Sequence, residues 1–246
     1  MEQMVEGVQV IAGIGTALVF VLGSQTGFTL IDTGIFKKTH LLIAQLEKHN
    51  YPLGRLQTIV LTHCHCDHIG GVTELVRCSG AKVAAHESDI PYILQEQVVS
   101  GPYQRMMIQE QKVMKHFGCN IRQVDITLSS GDVIDALGGL QVIHVPGHTP
   151  GSIALYQPDR QIMFFGDVIR NHPRQGLRVG VPEDYNVDTR QTRADANKLL
   201  AYPIEYALFS HGNPILGNAS RIVREAVNYP LRVQQSQILN RQESRA

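Results

Sequence analysis

Within TIVLTHCHCDHIGG, six consecutive residues are His63, Cys64, His65, Cys66, Asp67 and His68. Side chains two apart on extended backbone point the same way. His63 and His65 can therefore reach one metal ion, while Cys64 and Cys66 face the opposite side and are read as packing. Asp67 and His68 follow as the chain turns at Gly70-Gly71, and they can aim at a point a few ångströms away. One short segment thus offers ligands to two adjacent metals.

Such a site needs more donors, each best placed where a strand gives way to a turn. HVPGHTPGS offers His148, MFFGDV offers Asp167 and LFSHGN offers His211. His144 lies four residues before His148, but Pro146 and Gly147 between them argue against the helix that this spacing would need. His40, His49, His86, His116 and His172 are read as surface or locally hydrogen-bonded groups. Imidazole and carboxylate donors suit zinc, with Mn2+ or Fe2+ as alternatives.

The elements that must position these residues are legible around them. VQVIAG, ALVFVLG and FTLIDTG read as strands separated by glycines, and LQTIVLTH as a buried strand. Lys37 to Asn50 has helical spacing and stops before Pro52. VTELVRCSG is a short helix and AKVAAHE a strand. Glu87 to Gly118 reads as helical, with Met106, Val113 and Phe117 on one stripe and Met107 and Met114 beside it. The 101–117 segment is read either as a packed helix or as a lid whose methionines face a substrate. LQVIHVPG, SIALYQP and QIMFFGD are strands, with Pro158-Asp159 in the turn between the last two. Asp188 to Ala201 is a helix, YALFSHG a final strand, and the chain is helical from Asn218 to an interruption at Pro230. Arg170 to Tyr185 reads as a specificity loop, in which Arg170, His172, Arg174 and Arg178 are candidates to meet an anionic part of a substrate.

The chain has 246 residues, enough for one sizeable core, and β-rich and helical stretches alternate twice along it. A single α/β domain over residues 1–246 is expected. Lys plus Arg equals Asp plus Glu at 22 each, so no global charge draws the chain to nucleic acid or to an anionic membrane. The apolar N-terminal run is broken by Gly13, Gly15, Gly23 and Gly27 and carries no basic leader, so neither a span nor a signal peptide is expected there. Four cysteines with no export signal suggest reduced thiols and a cytoplasmic location.

HCHCDH, PGHTPGS, FFGD and SHG, preceded by LIDTG at Asp32, together resemble the metallo-β-lactamase superfamily from about Thr29 to Gly212. The resemblance implies a four-layer αββα sandwich with two metals on one edge. It assigns His63, His65 and His148 to the first metal and Asp67, His68 and His211 to the second. Asp167 would bridge them, and Asp32 would orient ligands through hydrogen bonds. The reaction implied is hydrolysis by a bridging hydroxide, with Asp67 and Asp167 catalytic and a small-molecule ester, thioester or lactone as substrate.

Within the superfamily, true β-lactamases carry cysteine or serine where Asp167 stands. The PGHTPGS and GD segments look most like the glyoxalase II group, although the segment after His211 is short for that group's glutathione-binding helices. Lactonases place a tyrosine where this chain has Arg170. No basic arm suggests an RNA phosphodiesterase. Mononuclear iron persulfide dioxygenases share the scaffold and remain an alternative, as does a non-catalytic metal-binding protein. The helix from Asn218 offers a surface through which two chains could pair as a homodimer.

Overall fold

The computed structural model describes residues 1–174, 176–180 and 182–229. Strands β1 (Glu2–Val5), β2 (Val8–Ile11), β3 (Val19–Gly23), β4 (Phe28–Ile31), β5 (Leu56–Val60), β6 (Lys82–His86) and β7 (Ile126–Leu128) form one sheet in sequential order. The pairings from β1 to β4 are antiparallel and those from β4 to β7 parallel. The parallel steps require crossovers, supplied by α1 (Thr39–Lys48), then α2 (Cys66–Ile69) and α3 (Val72–Ser79), then α4 (Ile90–Ile93) and α5 (Gln104–His116).

A second sheet contains β8 (Val133–Ile134), β9 (Leu140–His144), β10 (Ile153–Gln157) and β11 (Ile162–Phe164). Beyond a separate hairpin of β12 (Ile169–His172) and β13 (Gly176–Val179), α6 (Thr189–Asp195) leads to β14 (Tyr206–Leu208) and β15 (Ile215–Leu216), which complete the sheet in the order β15-β14-β11-β10-β9-β8. Helix α7 (Ala219–Val227) follows.

Three cores separate four layers. Val19, Val21, Leu30, Ile59 and Val83 pack outward against Leu42 and Leu46 of α1 and Leu75 of α3. Their neighbours Phe20, Leu22, Ile31, Val60 and Ala84 point inward and meet Leu140, Val142, Ile153, Leu155 and Phe164 of the second sheet. The other face of that sheet, with Ile143, Ala154, Met163 and Ala207, is covered by Leu199, by Val223 of α7 and by the hairpin. Each central strand is buried on both faces, which is why its sequence reads as a continuous apolar run rather than an alternation. The αββα arrangement is as expected.

Several local expectations are revised. Arg170 to Tyr185 is not an open loop, because its first half is the β12–β13 hairpin. The Glu87–Gly118 stretch is helical only at its ends, in α4 with the short 3-10 turn before it and in α5. On α5 the core-facing methionines are Met107 and Met114, whereas Val113 and Phe117 are exposed. Met107 and Met114 pack into the outer core with Leu42 and Leu75. Pro230 and the residues after it lie outside the described residues. Among the described residues, no helix is long and apolar enough to cross a membrane.

Candidate metal centre

β9, β11 and β14 all run in one direction, since β10 is antiparallel to both β9 and β11, and β11 is parallel to β14. Their C-terminal ends therefore share one edge of the second sheet. His148, Asp167 and His211 emerge a few residues past those ends. β4 and β5 are parallel as well and deliver Asp32 and His63 from the first sheet. A backbone hydrogen bond from Ile153 N–H to Thr62 C=O, 3.0 Å, ties the two sheets at this edge.

Gly147 sets the approach of the His148 loop. It has φ +121°, and a Cβ there would lie 2.3 Å from the Thr192 nitrogen of α6. Gly70 plays the same part behind Asp67 and His68, where a Cβ would lie 2.3 Å from the Phe36 nitrogen.

All seven residues expected as ligands come together. Donor atoms of His63, His65 and His148 lie within 4.8 Å of one another, as do those of His63, His68 and Asp167, and those of Asp67, His68 and His211. His63 and His148 are 3.2 Å apart at Nε2. Asp167 Oδ1 is 3.5 Å from His68 Nε2 and 3.3 Å from His211 Nε2, while its Oδ2 is 3.5 Å from His148 Nε2. Asp67 lies 3.7 Å from His68 and 3.6 Å from His211. A tetrahedral ion with bonds of ~2.1 Å needs donors ~3.4 Å apart, so these spacings suit the edges of such polyhedra.

Among the described residues, six buried polar side-chain atoms have no hydrogen-bond partner, and four of them, His65 Nε2, His68 Nε2, Asp167 Oδ1 and His211 Nε2, belong to this site. Each such atom costs ~1–3 kcal/mol if left unsatisfied. Their convergence, together with the donor chemistry, fits divalent metal ions.

The hydrogen bonds behind the donors fix their tautomers. His68 Nδ1–H donates to Asp32 Oδ2 at 2.7 Å, leaving the Nε2 lone pair forward. Thr62 Oγ1 donates to Asp32 Oδ2 at 2.8 Å, so it accepts from His63 Nδ1–H at 3.0 Å and frees Nε2 there too. His148 Nδ1–H donates to Asn186 Oδ1 at 2.7 Å, and the Asn186 amide is oriented by donating to Gly180 C=O and Thr189 Oγ1. Asp32 is fully buried and holds φ +60°, a left-handed conformation that Asp tolerates better than most residues. It also accepts from Thr62 N–H at 2.8 Å. Such partners orient a metal-binding histidine and raise its basicity.

Burial, with the neighbouring histidines, pushes His63 and His65 well below the usual histidine range. His68 behaves oppositely. Burial opposes its charge, yet Asp32, Asp167 and Asp67 around it lift it to about 9. Burial would also raise Asp167, but His68, His211 and Arg170 hold it well below the usual carboxylate range.

Three neighbours of the site, Thr16, Asn186 and Tyr103, carried no sequence signal. Thr16, in the glycine-rich β2–β3 turn, donates its hydroxyl to Asp67 Oδ2 at 2.5 Å. Asn186 reaches His148 only through tertiary closure. The Tyr103 ring lies against His65, with centroids 4.0 Å apart, and its hydroxyl donates to Glu110. Cys64 is buried beside Asp89 and Cys66 beside Glu110, and neither belongs to a donor group. His144 donates from Nε2 to Pro150 C=O and stacks on His86, outside the site.

The hairpin residues divide. Arg170 donates from Nε and Nη2 to Asp167 Oδ2. With His172 it lines a cavity beside His211. Arg178 bonds Leu177 C=O and lies 5.5 Å from the Tyr229 ring centre, and Arg174 is exposed at the hairpin turn; neither lines that cavity. A larger cavity of about 900 Å³, which includes Phe28, Arg55 and Gln157, is at the opposite strand ends and shares no donor with the site.

A family model for the metallo-beta-lactamase superfamily matches residues 12–211. The chain belongs to that superfamily. It is 24% identical over 207 residues to a probable metallo-hydrolase, YflN, of Bacillus subtilis (strain 168), covering 79% of this chain and 78% of that one. It is 30% identical over 129 residues to a hydroxyacylglutathione hydrolase of Ectopseudomonas mendocina, covering 52% of this chain but only 38% of the relative. In fold it is similar to the metallo-beta-lactamase family protein TTHA1429 from Thermus thermophilus, with TM-score 0.69 and 19% identity over 97% of this chain and 82% of that one.

Proposed function

We propose that this chain is a dinuclear metal-dependent hydrolase of a small-molecule ester, thioester or lactone. The observation that carries the reading is Asp167, whose two carboxylate oxygens face different sets of histidines. His63, His65 and His148 would hold one ion and Asp67, His68 and His211 the other, with Asp167 between them. Zinc suits these donors best, and manganese or iron(II) is compatible with them. When bound, such ions supply acidified water and positive charge for a developing oxyanion.

The chain's own residues do the rest. Asp32, Thr62 and Asn186 keep three imidazoles in the tautomer that presents Nε2. Burial keeps His63 and His65 neutral and able to donate a lone pair. Asp67, steadied by Thr16, is the partly exposed carboxylate placed to orient a water and to take up or return its proton at Oδ2. The named activity of the hydroxyacylglutathione hydrolase relative supports a thioester or ester. Arg170, standing where lactonases carry tyrosine, favours those substrates over lactones.

The test is turnover on a panel of esters, thioesters and lactones before and after chelation. The expected result is loss of activity with EDTA and its return with zinc. Turnover indifferent to chelation would contradict the reading. Metal binding without turnover on any of the panel would point to a binding protein, and oxygen consumption with a single iron to an oxygenase.

A further inference from the structure

The cavity beside His211 has a volume of about 360 Å³ and is walled by Arg170, His172, Pro173, Pro182 and Gly212. That is near the lower end for small-molecule sites. Arg170 dominates it chemically. Its side chain is only 19% exposed, and its two bonds both end on one oxygen, Asp167 Oδ2. A guanidinium has five N–H donors. Among the described residues, the other three on Arg170 have no hydrogen-bond partner. No Arg170 nitrogen is among the buried polar atoms left without a partner, so these free donors are open to solvent and available to an acceptor that enters the cavity.

The surroundings narrow what that acceptor is. His172 Nδ1 accepts from Arg174 N–H, so the neutral ring carries its proton on Nε2, a second donor at the cavity. Asn171, also in the lining, donates one side-chain amide N–H to Asn213 C=O. Among the described residues, no aspartate or glutamate lines the cavity, and the carboxylate that already pairs with Arg170, Asp167, is not one of its walls. Two prolines give it apolar walls suited to methylene groups. A planar guanidinium fork matches a carboxylate.

We infer that this cavity binds a carboxylate carried by the acyl part of the substrate, with Arg170 as its main partner and His172 at its edge. The preferred substrates are then esters or thioesters of short dicarboxylic acids. This rests on the hydrolase reading proposed above, and the test separates the two.

Zinc-loaded protein is assayed on p-nitrophenyl hemiglutarate and on its neutral counterpart, p-nitrophenyl valerate. Wild type should favour the hemiglutarate by ~10-fold or more in kcat/KM. Arg170→Met should bring the ratio close to one, and Arg170→Lys should leave it between the two. A residue that only steadies Asp167 would lower both rates and leave the ratio intact. In parallel, glutarate and its diamide, glutaramide, are titrated calorimetrically into metal-stripped wild type and Arg170→Met. Binding of glutarate alone, and by wild type alone, is the expected result. A wild-type ratio near one, a ratio unchanged in Arg170→Met, glutarate binding that survives the substitution, or tighter binding of inorganic phosphate would each overturn the inference. If neither ester is hydrolysed, the glutarate titration alone decides the cavity, and the hydrolase reading is decided separately by the panel of esters, thioesters and lactones.

Discussion

Asp32 Oδ2 and His68 Nδ1 are joined by a 2.7 Å hydrogen bond, with both side chains fully buried. The same oxygen accepts from Thr62, which in turn accepts from His63. One carboxylate thereby sets the tautomer of a histidine in each of the two proposed metal sites. Asp32→Asn keeps the volume but loses one acceptor and the charge. It should weaken metal binding by ~10–100-fold, the usual cost of losing an outer partner. Competition with a fluorescent chelator measures this directly, and unchanged affinity would remove the orienting role.

His68 gives a proton to the solvent when metal binds. Its pKa in the metal-stripped fold is about 9, against an ordinary histidine value of 6.5. At pH 7.5 the stripped protein therefore holds His68 as a cation, and a metal ion at Nε2 must displace that proton. Zinc titration in weak buffer with a pH indicator should release about one proton more from wild type than from His68→Gln, beyond whatever the metal-bound water gives up in both. The folded-state pKa is raised, so the stabilisation that His68 gives the stripped protein is complete below about 6.5. It is lost as pH rises through about 9. Urea unfolding of stripped protein from pH 6 to 10 should show that decline, and a decline just as steep in His68→Gln would contradict it.

Thr16 steadies Asp67. Removing the hydroxyl in Thr16→Val should speed metal loss from the Asp67–His68–His211 group by roughly fivefold, a hydrogen bond of ~1 kcal/mol. Thr16→Ser, which keeps the hydroxyl, should restore the wild-type rate. Equal loss in both variants would mean that the threonine methyl, rather than the bond, matters.

The cysteines of HCHCDH fill space. Cys64 is 3% exposed, and burial, with Asp89 nearby, raises its thiol well above the usual range. Ellman's reagent should modify exposed Cys78 first and leave Cys64 untouched until unfolding. Cys64→Ala should retain its full metal content. A fall in metal content would make Cys64 a ligand.

The sequence carried much of this centre because its donors sit where strand meets turn. His63 and His65 were legible from their two-residue spacing. His148, Asp167 and His211 each follow an apolar run and sit beside a glycine that lets the loop approach closely. Thr16 and Asn186 had no such mark, because each acts through one hydrogen bond made only when distant segments close. The face of α5 was misjudged for a related reason. Met106, Val113 and Phe117 form one apolar stripe and Met107 and Met114 another, and pattern alone cannot choose between them. Tyr103 and Met107 packing into the outer core decide it. The β12–β13 hairpin was hidden by its arginines, prolines and glycines, which break the alternation that marks a strand.

The most direct test of the two-ion account is metal stoichiometry on purified protein by inductively coupled plasma mass spectrometry, with and without reconstitution in zinc. The account predicts close to two ions per chain, falling towards one in His211→Ala, which removes a donor from one group only. A single ion per chain that stays single under excess zinc, or a His211→Ala protein that still holds two, would contradict it.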